Sequence, residues 1–171
     1  MGYAAIALDE LLDLLGAATP APASGTAAAL TGALAAALAE LAAGVSGKSD
    51  ATEAAGKLRR RLATLADEDA EAYTAWIAAR TEDARDRIVD VPLAIAEVAL
   101  EVAELGGRLA REGKPSVAGD ALAATDLASG AARAAVRLVE LNLAGTDDPR
   151  RDRAAELARQ AGTWIAQSYP R

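Results

Sequence analysis

The sequence has no cysteine, no histidine and no phenylalanine, and aromatic residues of all kinds make up only 3% of it. Without cysteine there is no disulfide framework and no thiolate chemistry. With histidine also missing, Cys/His zinc sites, cysteine nucleophiles and a Ser-His-Asp triad are excluded. Any acid–base work falls to Asp, Glu, Lys, Tyr or a hydroxyl. A basic excess is lacking too, since the net charge is −7. A general nucleic-acid binder needs a dominant basic face, so no nucleic-acid partner is expected. The opening MGYAAIALDE has neither a basic n-region nor a long apolar h-region, which argues against a signal peptide. The alanine-rich run from Thr26 to Val45 comes nearest to a membrane span, but it carries Glu40 and is mostly alanine. It reads as a buried core helix. The expectation is a soluble cytoplasmic protein with no membrane partner.

What is present is alanine and leucine, which supply most of a hydrophobic content of 52%. Alanine favours helix and disfavours strand. A length of 171 residues suits one domain, taken as 1–171. A chain of this size hides roughly 70% of its unfolded surface, enough for a real core. Strand-like alternation, internal repeats and domain-sized linkers are not seen. Six helical segments can be placed: about Ala4–Leu15, Thr26–Val45, Thr52–Ala79, Glu82–Arg111, Ser116–Ala144, and from Asp148-Pro149 to about Ser168. Gly16, the Pro20/Pro22 pair, Gly44, Gly47, Gly113, Pro115 and Gly145 supply the stops. Ser24 or Thr26 is expected to cap the second helix and Thr52 the third. Pro92 is expected to kink or split the fourth. Short connections make consecutive helices antiparallel neighbours. The fold class is therefore all-α, an antiparallel bundle of five to six helices.

Spacings of three and four mark the faces. Leu30, Leu34, Leu38 (or Ala37), Leu41 and Val45 form a stripe on the second helix, and Ile88, Val91, Ile95, Val98, Val102, Leu105 and Leu109 form one on the fourth. Both read as core seams. On the third helix the seam runs Leu58, Leu62, Leu65, Asp69, Ala72, Trp76, which puts Asp69 at a core position. On the fifth it runs back from Leu141 through Leu138, Ala134, Ala131, Leu127 and Ala124 to Asp120. A buried carboxylate is costly unless paired or hydrogen-bonded, so both aspartates ask for a reason. Structural reasons exist. Asp120 could cap the fifth helix, and Asp69 could pair with a cation from another helix. Lys48 lies just beyond the second helix, where a cation is favourable.

Other charged or aromatic features have ordinary explanations. The basic run Lys57, Arg59, Arg60, Arg61 reads as a solvated face, although it could attract an anionic tail. Glu97, Glu101 and Glu104 with Arg108 read as a salt-bridged helix face. Trp76 and Trp164 read as packing residues, and Arg150, Arg151 and Arg153 as surface partners of Asp147 and Asp148.

In order along the chain, several segments resemble one family. Pro20-Ala21-Pro22-Ala23-Ser24-Gly25-Thr26-Ala27-Ala28-Ala29-Leu30 resembles the PxPGGGSxAAL opening of the cyclodeaminase/cyclohydrolase family. Gly47-Lys48 resembles its GK, and Leu65 to Tyr73 its L-x-DEDAxAF segment. Val91-Pro92-Leu93, Gly113 to Asp120 and Val139 to Leu143 resemble its VP-L, GN-x-x-x-x-SD and VRINL segments. The order holds from about residue 8 to 145. The chain departs from the pattern at Ala23, Ser24, Lys114, Gly119, Leu138 and Glu140, while Asn142 is kept.

The resemblance implies a fold like the C-terminal domain of formiminotransferase-cyclodeaminase, a homodimer, and action on a one-carbon tetrahydrofolate derivative with no metal and no cofactor beyond that substrate. The substrate would be 5,10-methenyltetrahydrofolate, hydrolysed, or 5-formimidoyltetrahydrofolate, deaminated. By the same resemblance Asp120 or Asp69 acts as base, with Lys48 as electrostatic or acid partner. Ser24, Gly25, Thr26, Asp67 and Asn142 bind substrate. Asp69, Asp120 and Lys48 are expected to line one cleft near the start of the second helix, with a subunit interface as one place for it. The altered loop positions leave a second reading open, a divergent, non-catalytic helical-bundle dimer that binds a folate-like or other small ligand.

Overall fold

A computed structural model describes residues 2–168, with side-chain surroundings as far as Trp164. The described residues form six α-helices: α1 Leu8–Gly16, α2 Ser24–Val45, α3 Ser49–Ala79, α4 Glu82–Glu112, α5 Ala118–Asn142 and α6 Arg150–Ser168. Short 3-10 turns stand at Tyr3–Ala5 and Pro115–Val117. Among the described residues there is no strand. The all-α bundle expected from periodicity is the fold observed. Helix α2 runs through the middle, against α3, α4 and α5, while α6 closes over α4 and α5.

Several boundaries differ from expectation for local reasons. The first predicted helix is broken, because Ile6 and Ala7 are extended between the Tyr3–Ala5 turn and α1. Thr52 does not cap α3: its hydroxyl donates back to the Lys48 carbonyl at 3.0 Å, inside the first turns of the helix. Neither Ser24 nor Thr26 caps α2, which is preceded by Ala23 with no side-chain cap. Thr81 does cap α4, its hydroxyl accepting from the Ala84 N–H at 3.3 Å.

Pro92 neither splits α4 nor ends it. A proline has no N–H, so the carbonyl four residues earlier, that of Ile88, loses its helical donor. The side-chain amide of Asn142 donates to that oxygen at 2.7 Å. The last residue of α5 thereby supplies the hydrogen bond that Pro92 cannot.

The seams are partly inverted relative to the leucine spacing. On α4 the reading is correct: Ile88, Val91, Ile95, Val102, Leu105 and Leu109 are buried. On α2 and α5 it holds only in part: Ala124 and Ala131 are buried and Leu30 and Leu38 pack against the core, but the other leucines do not. Leu34 is 66% exposed, Leu41 48%, Leu127 42% and Leu141 70%. The buried face of α2 is Ala28, Ala29, Gly32, Ala35, Ala36, Ala39, Ala42 and Ala43, and that of α5 includes Ala121, Ala124, Ala128, Ala132 and Ala135. A helix enclosed by three others has room only for small side chains if the axes are to approach closely. Gly106 shows how close they come, since a Cβ there would stand 2.9 Å from the Ala121 carbonyl of α5. Asp120, in the first turn of α5, is half-buried rather than a core residue.

Helix α6 is tethered by charge as well as by packing. Arg150 bridges Asp86 and Asp90 of α4, each at 2.9 Å, and Asp148 at 2.6 Å. Its hydrogen bonds hold the Asp148 carboxyl down to about 2. Arg150 is thus more than a surface partner of Asp148, because it ties α6 to α4.

Candidate functional site

Where α2 begins and α5 ends, a cavity of about 430 Å³ opens between α2, α3, α4 and α5. Ser24 and Gly25 form one wall, Asp69 and Tyr73 of α3 another, Ile88 and Pro92 of α4 a third, and Leu138, Leu141 and Asn142 of α5 the fourth. Thr19, Pro20 and Ala23 of the preceding loop complete it. Four of the expected site residues, Ser24, Gly25, Asp69 and Asn142, therefore meet in one place. Thr26 stands directly behind them, fully buried.

The Asp69 carboxylate sits over the first turn of α2. It accepts from the Thr26 hydroxyl at 3.3 Å and from the Thr26 backbone N–H. A helix start offers unsatisfied N–H groups and a partial positive charge, and Asp69 serves it from a neighbouring helix in place of a cap. A Cβ on Gly25 would lie 2.0 Å from Asp69 Oδ1, so this approach requires glycine at 25. The alternative considered from sequence, neutralisation by Arg or Lys, is not what is found: no basic side chain lines this cavity.

Burial pushes the Asp69 carboxyl above its ordinary range, and the two Thr26 hydrogen bonds only partly oppose that. The Thr26 hydroxyl also lies 3.2 Å from the Ala66 carbonyl. Its single proton can go to only one of the two oxygens. When it goes to Ala66, a protonated Asp69 can donate to the hydroxyl in turn. The carboxyl is therefore placed both to take a proton and to hold one in a cavity that a small molecule can enter.

The remaining expected residues lie elsewhere. Asp67 faces a second depression, of about 750 Å³, formed with the N-terminal segment. It accepts from the Tyr3 backbone N–H at 2.7 Å, and a Cβ on Gly2 would meet its Oδ2 at 2.3 Å. This hydrogen bond ties that segment to α3. Lys48 lies at the far end of α2, in a depression of about 490 Å³ with Arg108, Leu109 and Glu112, and pairs with Glu112 at 3.6 Å. Asp120 stands in the first turn of α5, at that same far end. Within one chain, Asp69, Asp120 and Lys48 do not share a cleft. Asn142 lines the cleft while its amide nitrogen is committed to Ile88. Tyr73, Leu138 and Leu141 were not anticipated as lining residues. Tyr73 could have been, since it follows Asp69 by one helical turn and so shares its face.

The family model for formiminotransferase-cyclodeaminase matches residues 7–161. The chain belongs to that family. A methenyltetrahydrofolate cyclohydrolase of Methylorubrum extorquens is 30% identical over 168 residues, covering 82% of this chain and 81% of that one. The crystal structure of a formiminotetrahydrofolate cyclodeaminase from Thermotoga maritima superposes with a TM-score of 0.84 at 25% identity, over 97% of this chain and 93% of the other. The match places this formiminotransferase-cyclodeaminase relative among folate one-carbon proteins of the cyclohydrolase and cyclodeaminase type. The glycine geometry also explains one pattern in its loop. Of the positions at 23, 24 and 25, glycine is retained at 25, where a Cβ would collide with Asp69.

Proposed function

We propose that this chain hydrolyses 5,10-methenyltetrahydrofolate in the cleft at the start of α2, with Asp69 as the proton-transferring group. The observation that carries the reading is a desolvated carboxyl, raised above its ordinary range, in a cleft with no basic lining residue. The methenyl substrate carries a delocalised cation across its bridging carbon, and an unpaired carboxylate in a low-dielectric cleft is complementary to it. Water adds to the bridging carbon while Asp69 accepts the proton. The adduct then loses its bond to one nitrogen, which takes up a proton, while the new hydroxyl gives one up and becomes the carbonyl of a formyl group held on the other nitrogen. The net products are the formyl folate and one proton. Ser24 and the first N–H groups of α2 are positioned to hold polar edges of the substrate. Leu138, Leu141 and Ile88 supply apolar contact to a ring system. The cavity volume suits a fused ring system, with the substrate's tail lying outside it.

Support for hydrolysis over deamination comes from the curated relative, which is named a cyclohydrolase. The structural relative is named a cyclodeaminase; deamination would use the protonated carboxyl to donate to departing ammonia. Calorimetric titration with a reduced folate, followed by loss of methenyl-folate absorbance above the spontaneous rate, tests the proposal. Ammonia release from the formimidoyl substrate instead would assign the deaminase reaction. Binding without either turnover would leave a folate-binding bundle.

A further inference from the structure

We infer that the side of α3 beyond Asp69, from Tyr73 to Arg80, seats the tail of the substrate, an aromatic amide that ends in carboxylates. The choice of that ligand rests on the folate reading above.

Asp69, Tyr73, Trp76 and Arg80 follow one another on α3 and its end at spacings of four, three and four, so they share one side of the helix. The cleft reaches along this stripe as far as Tyr73. Past that point the surface stays apolar where water would favour charge. Tyr73 is 41% exposed, and Ile77, one turn further, 40%. Trp76 packs partly against the core. The stripe then closes on a cation: the Arg80 guanidinium lies over the Trp76 ring, 4.7 Å from its centre.

Arg80 is held in a way that ordinary helix ending does not require. It follows α3 with a φ of 53°, the only positive value at a non-glycine residue among the described residues. Glycine is the residue that such a position favours. The Arg80 backbone N–H donates to the Trp76 carbonyl at 3.1 Å, so main chain and side chain both turn back over the tryptophan. A cation is favourable at any helix C-terminus. That alone asks neither for arginine in left-handed backbone nor for an indole beneath it. Among the described residues the guanidinium has the ring as its partner and no carboxylate, although Glu82 and Asp83 follow at once in the chain. A guanidinium steadied over an aromatic face keeps its edge N–H groups for an incoming carboxylate, two at a time.

Spacing along the helix fits the ligand. Tyr73 stands about 6 Å beyond Asp69 along the axis, and the guanidinium above Trp76 about 10 Å beyond it. In an extended methenyl folate the centre of the tail's aromatic ring lies about 4 Å from the bridging carbon, and the first carboxylate about 10 Å from it. With the bridging carbon at Asp69, the ring falls against Tyr73 and Ile77 and the carboxylate reaches Arg80. A chain of net charge −7 repels a dianion overall, so a cation placed at this one point is what admits that end of the substrate.

Arg80→Gly tests the assignment without threatening the fold, because glycine suits the backbone there, and its melting temperature should not fall. N-benzoyl-L-glutamate, which carries the ring, amide and two carboxylates of the tail, is titrated into chains that also carry Trp164→Phe. Trp76 is then the remaining tryptophan. The expected result is a saturable change in its emission, at least tenfold weaker in affinity with Arg80→Gly, and no response to the diamide of the same compound. Turnover gives the second reading. Arg80→Gly should raise KM for methenyl folate about tenfold or more while kcat stays within about twofold. A substrate whose tail carboxylates are amidated should lose the same factor on the wild-type chain and nothing further on the variant. An unchanged KM, or a loss in kcat in its place, would overturn the subsite. So would the lack of a saturable fragment response, with the folate reading intact. Fragment binding that depends on Arg80 in a chain that turns over no folate would do the reverse, upholding the anionic subsite and sinking the folate reading.

Discussion

Replacing Asn142 by alanine removes the side-chain donor that meets the Ile88 carbonyl across the Pro92 gap, at 2.7 Å in the wild-type chain. Ile88 is buried, so its oxygen is left with neither its side-chain donor nor a helical one. Such an orphaned acceptor costs about 1–3 kcal/mol. For a domain of this size each kcal/mol is worth roughly 2–4 °C, so Asn142→Ala is expected to lower Tm by about 2–12 °C. The decisive measurement is the double-mutant cycle with Pro92→Ala. Alanine at 92 restores an N–H one turn beyond Ile88, and the carbonyl regains a backbone partner. In that background Asn142→Ala should cost less than about 0.5 kcal/mol, giving a coupling of about 1–2 kcal/mol between the two sites. Chemical denaturation followed by far-ultraviolet circular dichroism measures all four variants. Equal losses from Asn142→Ala in both backgrounds would show that the amide does not serve the carbonyl that the proline leaves free.

Three further outcomes follow from the site and its surroundings. Asp69→Asn should cut turnover by about 10²–10⁴-fold. Because burial raises the wild-type carboxyl, its stability contribution is greatest below the unfolded value of about 3.9 and is lost as pH rises through the folded value. The Asp69→Asn variant should therefore gain Tm relative to wild type between acid and neutral pH, and a widening deficit in thermal melts over that range would refute the desolvated carboxyl. Gly25→Ala should destabilise by about 1–3 kcal/mol through its collision with Asp69. Adding Asp69→Ala should recover folding in urea titrations but not turnover, and a fully stable Gly25→Ala would contradict the close approach. Arg150→Met should loosen α6 at neutral pH. Asp148 is held down to about 2, so its contribution is present above about 3.9 and fades as pH falls towards the folded value. The gap between wild type and Arg150→Met should shrink over that range, and a constant gap would remove the ion pair as its cause.

Helix number, order and approximate bounds were legible in the sequence because alanine content, glycine stops and short connections all pointed the same way. The position of Asp69 in a core seam was legible as well, since one carboxylate interrupted an otherwise regular leucine spacing on α3. The faces of α2 and α5 were legible only in part. Spacing locates a stripe of large apolar residues but does not say which side of a helix it covers, and with alanine on the opposite side both faces are hydrophobic. That ambiguity gave Asp120, half-buried in the first turn of α5, a core position. The distance between the two ends of the bundle is equally invisible to residue type, so Lys48 and Asp120 were grouped with Asp69 although one chain keeps them apart. Asn142 was noticed through family resemblance, but its structural duty follows from a proline on another helix and could be seen only once α4 and α5 were in register.

An interior made from the smallest side chains also reverses the usual direction of mutational damage. Most cores fail when volume is removed, yet at Ala29, Ala35, Ala39, Ala43, Ala132 and Ala135, all fully enclosed, there is almost nothing to take away. Harm comes there from growth: even valine pushes a neighbouring axis outward, and the strain spreads to every helix that touches it. A saturation scan of α2 would rank substitutions by size at every enclosed alanine. At Leu34 and Leu41 it would rank them by polarity instead, and this contrast would trace the two sides of one helix without any further structural measurement.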